Sequence, residues 1–318
     1  PFFPIPNKKH MCRLDPELAE FGIVVDAFAK VEPSRIRHLF LTHAHYDHTN
    51  DLRKKYVDDS SVTLWCHELT WDLARLQHDF LNRVKAKIQP MKYYEWITVC
   101  QGVDCCAIPA HHCDGSAMFA FRTSKSMVLF TGDFRFVRDR FLAELSVDRL
   151  YLDDTLWDFQ ETLPSLADTY QAFKKMMSKR NRAFIHTSSL GFEPFLRRWA
   201  EETGGKLCID SSLGKVREGQ LKLLLREFVD GSSPFVLTSV MKRPIRPDEE
   251  HLWVVPSCRP HALCARRDAG LFFCTHANRA EVDTDLVARL ARDIGASEAD
   301  CKAIAQAETA RFGAELMV

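Results

Sequence analysis

Apolar and polar positions fall into two textures along the chain. Before residue 154, short apolar runs end at polar clusters, so strands are predicted over residues 38–41, 62–66, 103–108, 118–121, 127–130 and 150–152, with an amphipathic helix over 68–77. Several of these strands are close enough in sequence to be antiparallel neighbours. Beyond residue 154 the period lengthens. Helices predicted over 166–177, 193–202 and 218–229 alternate with strands over 183–187, 207–210 and 234–239, the signature of an α/β module. Residues 241–250 mix Pro, Arg and acidic residues and read as a loop. Strands return over 252–255 and 271–274, and two helices are predicted to close the chain.

Composition narrows this picture little. The 318 residues suffice for one large domain or two of ordinary size, and 46% hydrophobic with 27% charged residues reads as soluble and globular. Lys and Arg number 43 against 43 Asp and Glu, so no global field attracts polyanions and any nucleic-acid site must be a local patch. No apolar run reaches membrane-spanning length, and no secretory signal is visible. Because the sequence starts at Pro1, a trimmed chain lacking flanks that would carry targeting signals is expected. The 11 cysteines are irregularly spaced and include no CxxC, which reads as reduced, mostly buried thiols of an intracellular protein rather than a disulfide framework. Cys105 and Cys106 are adjacent in a predicted strand, where their side chains point to opposite faces and do not easily share one ion.

Chemistry enters at Thr42-His43-Ala44-His45-Tyr46-Asp47-His48. Three imidazoles and a carboxylate sit in a loop directly after a strand, and these are the donors that Zn²⁺ and similar borderline metals take. Packed together without a cation, four desolvated polar groups would cost several kcal/mol. Two later strand ends carry similar residues, Ala110-His111-His112-Cys113-Asp114-Gly115-Ser116 and Thr131-Gly132-Asp133-Phe134-Arg135.

In that order these motifs resemble the metallo-β-lactamase fold, and more narrowly the β-CASP DNA nucleases of the Artemis/Apollo/interstrand-crosslink-repair exonuclease family. The likeness is carried by Val25-Asp26-Ala27-Phe28, the HxHxDH strand end, His112-Cys113-Asp114-Gly115-Ser116-Ala117-Met118-Phe119, Phe130-Thr131-Gly132-Asp133-Phe134-Arg135 and Tyr151-Leu152-Asp153-Asp154-Thr155. It continues in Thr187–Glu193 and in Cys274-Thr275-His276-Ala277-Asn278, and departs from the family pattern at Asp114, where proline is usual, and Phe192, where lysine is usual.

The resemblance implies an α/β fold, a metallo-β-lactamase αββα sandwich over 1–154 with a β-CASP domain inserted over 155–250 and a return segment over 251–318. It places His43, His45 and His112 on one metal, Asp47, His48 and His276 on a second, and Asp133 between them. Asp26 then orients a histidine ligand, Asp153 supports the site, and Asp47 or Asp133 positions the attacking water. The cofactor implied is one or two Zn²⁺ ions, with Mg²⁺ or Mn²⁺ as alternatives at the second site. DNA is the implied substrate, single-stranded or with a 5′-phosphate end, contacted by Lys242, Arg243, Ser116, Thr155 and Gly191; no membrane is involved, and a nuclear location follows by family. The implied activity is a 5′-to-3′ exonuclease in crosslink repair or end processing, with a hairpin-opening DNA endonuclease or an RNA-processing β-CASP nuclease as alternatives.

Overall fold

In a computed structural model, the structure describes residues 14–26, 28, 31–50, 52, 54–135, 137, 140–153, 155, 163–178, 181–239, 252–257 and 270–272. His276, Lys242, Arg243, Asp154 and the two predicted closing helices lie outside them. The chain divides into two compact units, one of residues 1–71, 80–162 and 276–318, the other of residues 72–79 and 163–275.

The first unit begins with helix α1 (Pro16–Glu20), N-capped by Asp15, whose side chain accepts from the Leu18 amide. Strands β1 (Ile23–Val25), β2 (His38–Phe40), β3 (Thr63–His67) and β4 (Lys87–Met91) form a parallel sheet in that order. Its crossovers carry α2 (Tyr46–Thr49), α3 (Lys54–Val57) and α4 (Glu68–Gln77). Strands β5 (Trp96–Cys100), β6 (Val103–Pro109), β7 (Ala117–Arg122), β8 (Met127–Phe130) and β9 (Arg149–Tyr151) form a second sheet, antiparallel except for the β8–β9 pair.

Alternation along the second sheet builds two cores. Val103, Cys105, Ala107, Phe119, Phe121, Val128 and Phe130 meet Ile23, Val25, Phe40, Trp65 and Met91 of the first sheet in one cluster. Cys106, Ile108, Met118, Ala120 and Leu129 face the other way, into a cluster with Leu142 of α5 (Arg140–Glu144) and with Leu150. The neighbouring cysteines therefore serve different cores, as strand geometry requires. Among the described residues no cysteine is in a disulfide. Phe40 is central to the inter-sheet core: it stacks on Trp65 at 5.7 Å and meets Phe121 edge-on at 4.8 Å.

The second unit is a parallel sheet of order β11–β12–β10–β13–β14, built from β10 (Ala183–His186), β11 (Cys208–Ile209), β12 (Phe235–Thr238), β13 (Leu252–Ser257) and β14 (Gly270–Phe272). Helices α6 (Leu166–Met177), α7 (Glu193–Thr203) and α8 (Gly214–Leu224) alternate with the strands. A return to the first domain was expected at residue 251. Instead β13 pairs with β10, with Ala183 opposite Leu252, and β14 pairs with β13, so both extend the second unit's sheet. Phe192 is buried, with Phe173 at 5.1 Å and Phe195 at 5.5 Å, which makes it a core residue of this unit.

Among the described residues, no helix is long and apolar enough to cross a membrane.

Candidate metal centre

Strand β2 ends at Phe40, and the chain passes through residues 41–45 without helix or strand before turning into α2. His43 is fully buried and His45 is the N-cap of α2. Strand β6 delivers His112, and strand β8 delivers Asp133 through Gly132. One ligand atom each from His43, His45, His112 and Asp133 lies within 4.8 Å of the others.

Asp133 organises the group. Its Oδ2 is 3.8 Å from His43 Nε2 and 3.6 Å from His112 Nε2, while its Oδ1 lies 3.4 Å from His48 Nε2. The two carboxylate oxygens thus face different histidines. His45 Nδ1 is 2.8 Å from His112 Nε2. His43 Nε2 is buried and has no hydrogen-bond partner, although it points at this cluster. A buried nitrogen without a partner is costly, and a cation bound among the four groups would satisfy it.

Electrostatics agree with ligand roles for His43 and Asp133. Burial, with repulsion from His48 and His112, holds His43 well below the ordinary histidine range, so it is neutral and offers a lone pair. Burial would also push His48 down, but the carboxylates of Asp133 and Asp26 outweigh this and raise it well above that range. Burial would raise Asp133; His48, then His112 and His43, instead bring it well below the ordinary carboxylate range. Three imidazoles and a carboxylate close together, all buried except the half-buried His45, fit a divalent cation.

Several of these groups are braced from behind. Asp26, in the left-handed region at φ +50°, accepts from the Thr42 amide at 3.0 Å, from the Thr42 hydroxyl at 2.5 Å and from His48 Nδ1 at 2.9 Å. Such a backbone is uncommon outside glycine, with Asp among the better-tolerated exceptions. The expectation that Asp26 orients a histidine has its geometric counterpart in the bond to His48. Asp153 is buried and ties the strand end after β9 to the Asp133 turn, accepting from the Thr155 amide at 2.9 Å and the Phe134 amide at 3.4 Å while its own amide donates to Thr131 Oγ1.

Ser116, expected from the resemblance to touch DNA, has a different place. It is buried, and its hydroxyl accepts from the amides of His112 and Cys113, both at 3.2 Å, so it closes the loop that presents His112. Thr70 donates to the Gly115 carbonyl at 2.6 Å and Tyr93 to the Ser116 carbonyl at 3.0 Å. Gly115 at φ +80° is needed here, because a Cβ would sit 2.8 Å from the Thr70 amide nitrogen.

Asp47 is exposed in the first turn of α2 and is not one of the four clustered residues. Thr155 is exposed, and Gly191 is a buried residue of the second unit whose amide donates to Glu193 Oε2 at 2.7 Å. Sequence reasoning missed Thr42, Thr70 and Tyr93. Each is a polar residue beside, rather than within, a ligand motif, and only its position next to a strand end hints at a role.

Comparison with known proteins agrees with this geometry. Residues 21–187 match the family described as beta-lactamase superfamily domain. The chain is 32% identical over 208 residues to the 5′ exonuclease Apollo of Gallus gallus, a match covering 64% of this chain and 43% of that one. It is 31% identical over 188 residues to the DNA cross-link repair protein pso2/snm1 of Schizosaccharomyces pombe, covering 53% of this chain and 32% of that one. The chain thus spans less than half the length of these curated relatives. A protein of unknown function from Enterococcus faecalis V583, known from its crystal structure, shares the fold with a TM-score of 0.52 at 16% identity, covering 80% of this chain and 73% of that one.

A second likeness covers the C-terminus alone. Residues 274–318 match the family described as CbiD, C-terminal domain, and 43 residues are 67% identical to the cobalt-precorrin-5B C(1)-methyltransferase of Paracidovorax citrulli, 14% of this chain and 12% of that one. His276 falls inside this segment. Together, the two packed sheets, the His/Asp cluster and the match over 21–187 show that the chain belongs to the β-lactamase superfamily.

Proposed function

We propose that this chain is a metal-dependent DNA nuclease, a 5′-to-3′ exonuclease that processes DNA ends in crosslink repair, working in the nucleus. The observation that carries the reading is the cluster of buried His43, His112 and Asp133 with half-buried His45, and the partnerless Nε2 of His43 inside it. The names of the relatives, an exonuclease and a cross-link repair protein, support DNA as the substrate.

The residues that would hold the first ion are His43, His45 and His112 with Asp133 Oδ2; His48 Nε2 and Asp133 Oδ1 face a second position. Because residues 274–318 bear a different likeness, the proposed ligand set does not include His276. The ion is Zn²⁺, by the nitrogen-rich donor set. When bound, it supplies a water of lowered pKa and neutralises charge developing on the phosphate. The protein's part is orientation. Asp26 holds His48 by Nδ1, so its Nε2 is aimed at Asp133. Asp133, between histidines on both sides, would help position the attacking water. The substrate is single-stranded DNA with a 5′-phosphate end, and Lys242 and Arg243 are the sequence's candidates for its backbone.

Digestion of 5′-phosphate and 5′-hydroxyl single-stranded DNA, alongside RNA and hairpin DNA, with sizing of the products, tests this. Release of mononucleotides from the 5′ end of DNA is expected, with no activity in Asp133→Ala or His45→Ala that remain folded. Full activity in either variant would sink the assignment. Internal cuts at hairpins, or a preference for RNA, would replace the exonuclease with one of its relatives' activities.

A further inference from the structure

The His43 ring has two nitrogens, and only one can face the cluster with a lone pair. Which nitrogen carries the proton is decided by the partner at the other. At Nδ1 that partner is the Thr42 hydroxyl, 2.9 Å away. The same hydroxyl lies 2.5 Å from Asp26 Oδ2. A carboxylate only accepts, so the one hydroxyl proton goes to Asp26, and the hydroxyl oxygen must accept at its other side. His43 Nδ1 therefore carries the proton, and Nε2 is left as a bare lone pair, the buried nitrogen without a partner in the cluster.

Asp26 Oδ2 also accepts from His48 Nδ1 at 2.9 Å, which leaves Nε2 of His48 aimed at Asp133. One carboxylate thus sets two imidazoles, His48 directly and His43 through Thr42. We infer that Thr42 is a positioning residue of the metal centre, relaying the Asp26 carboxylate to His43 so that His43 presents Nε2 to the ion. The inference rests on the metal reading of the cluster, not on the identity of the substrate.

Packing gives Thr42 a competing role that a test must separate. A Cβ on Gly132 would lie 2.8 Å from Thr42 Cβ and Cγ2, so the threonine fills the space next to the Asp133 turn. Its backbone is independently engaged, with its amide on Asp26 Oδ1 at 3.0 Å and its carbonyl accepting from the Ala117 amide at 2.9 Å. Side-chain changes therefore leave two backbone anchors in place. Ala and Ser both lack the methyl, and only Ser keeps the hydroxyl, so their difference isolates the relay.

The experiment measures Zn²⁺ affinity of the full chain by competition with a chromogenic chelator, without DNA, for wild type, Thr42→Ser, Thr42→Ala and Thr42→Val. Loss of an outer partner of a metal-bound histidine costs about 10–100-fold in affinity, so Ala and Val are expected to fall by that factor and Ser to stay near wild type. Nitrogen-15 NMR of the metal-free protein should show His43 protonated at Nδ1 in wild type and Thr42→Ser, and a mixture of tautomers in Thr42→Ala. If Thr42→Ala binds Zn²⁺ as tightly as Thr42→Ser, or if Ser is as weak as Ala, the relay is wrong. Should Val fail to fold, the Ser and Ala pair still decides. A chain that binds metal through this relay yet cuts no DNA would overturn the nuclease reading and leave the relay standing.

Discussion

Arg217 and Glu193 form a buried ion pair in the second unit, with side chains 7% and 0% exposed. The guanidinium also donates to the Thr187 carbonyl at 2.7 Å and the Ser189 carbonyl at 2.8 Å. Glu193 in turn accepts from the Gly191 amide at 2.7 Å. The turn from β10 into α7 is therefore tied at three points to one arginine on α8. In Arg217→Met the volume stays similar, but the carboxylate is stranded away from water, which costs about 3–5 kcal/mol. The two carbonyls lose their donor, and each that stays dry adds about 1–3 kcal/mol. The total is a large share of the ~5–15 kcal/mol that holds an ordinary domain together. Adding Glu193→Met removes the stranded charge, so the double variant is expected to be more stable than Arg217→Met by ~2 kcal/mol or more. Urea unfolding followed by hydrogen exchange on peptides covering residues 187–193 and 214–224 gives the numbers region by region. A single variant within about 1 kcal/mol of wild type, or a double variant no more stable than the single, would refute the reasoning.

Three further outcomes are expected. Gly132→Ala forces a side chain onto a backbone at φ +53° and into Thr42, costing about 1–2 kcal/mol for the left-handed residue and about 1–3 kcal/mol for the crowding; calorimetric titration should show weaker Zn²⁺ binding as well as a lower melting temperature. Glu17 is pulled down to about 2, since bonds from Thr123, Arg149 and Ser126 outweigh the upward push of burial. A depressed carboxylate stabilises the fold above its unfolded value near 4.5 and loses that contribution as pH falls toward 2, so Glu17→Gln should be less stable at pH 7 by up to ~3 kcal/mol and the gap should close in acid melts; a gap independent of pH would refute it. His276→Ala is expected to keep the wild-type Zn²⁺ stoichiometry, measured by atomic absorption after dialysis, and loss of an ion would restore His276 to the ligand set.

The site was far more legible in the sequence than the sheets around it. His43, His45, His112 and Asp133 each follow a strand, and ligand-type residues at strand ends stand out because burying them without a partner is so unfavourable. Strands β1, β4 and β5 escaped notice, and all three lie at sheet edges. In Lys87–Met91 only Met91 is buried and Pro90 interrupts the pattern, which an edge tolerates because one side of the strand needs no ladder bonds. Helix α8 was expected to run to residue 229, yet it spans Gly214–Leu224 and gives way to a 3₁₀ turn over Arg226–Phe228. Periodicity alone does not separate those two conformations. Ser116 shows the opposite limit: its motif was legible, but which way its hydroxyl points depends on how the loop closes, and it closes inward.

The four clustered residues come from both layers of the sandwich, since His43 and His45 follow β2 of the parallel sheet while His112 and Asp133 follow β6 and β8 of the other. A bound ion would act as a cross-link between the layers, existing only when both have docked. Its binding energy would then add to the stability of the first unit, by about 2.7 kcal/mol at a free metal concentration a hundred times the Kd. The coupling runs in both directions. Loosening Phe40 or Phe121 in the shared core, neither of them one of the clustered residues, would register as a weaker grip on metal.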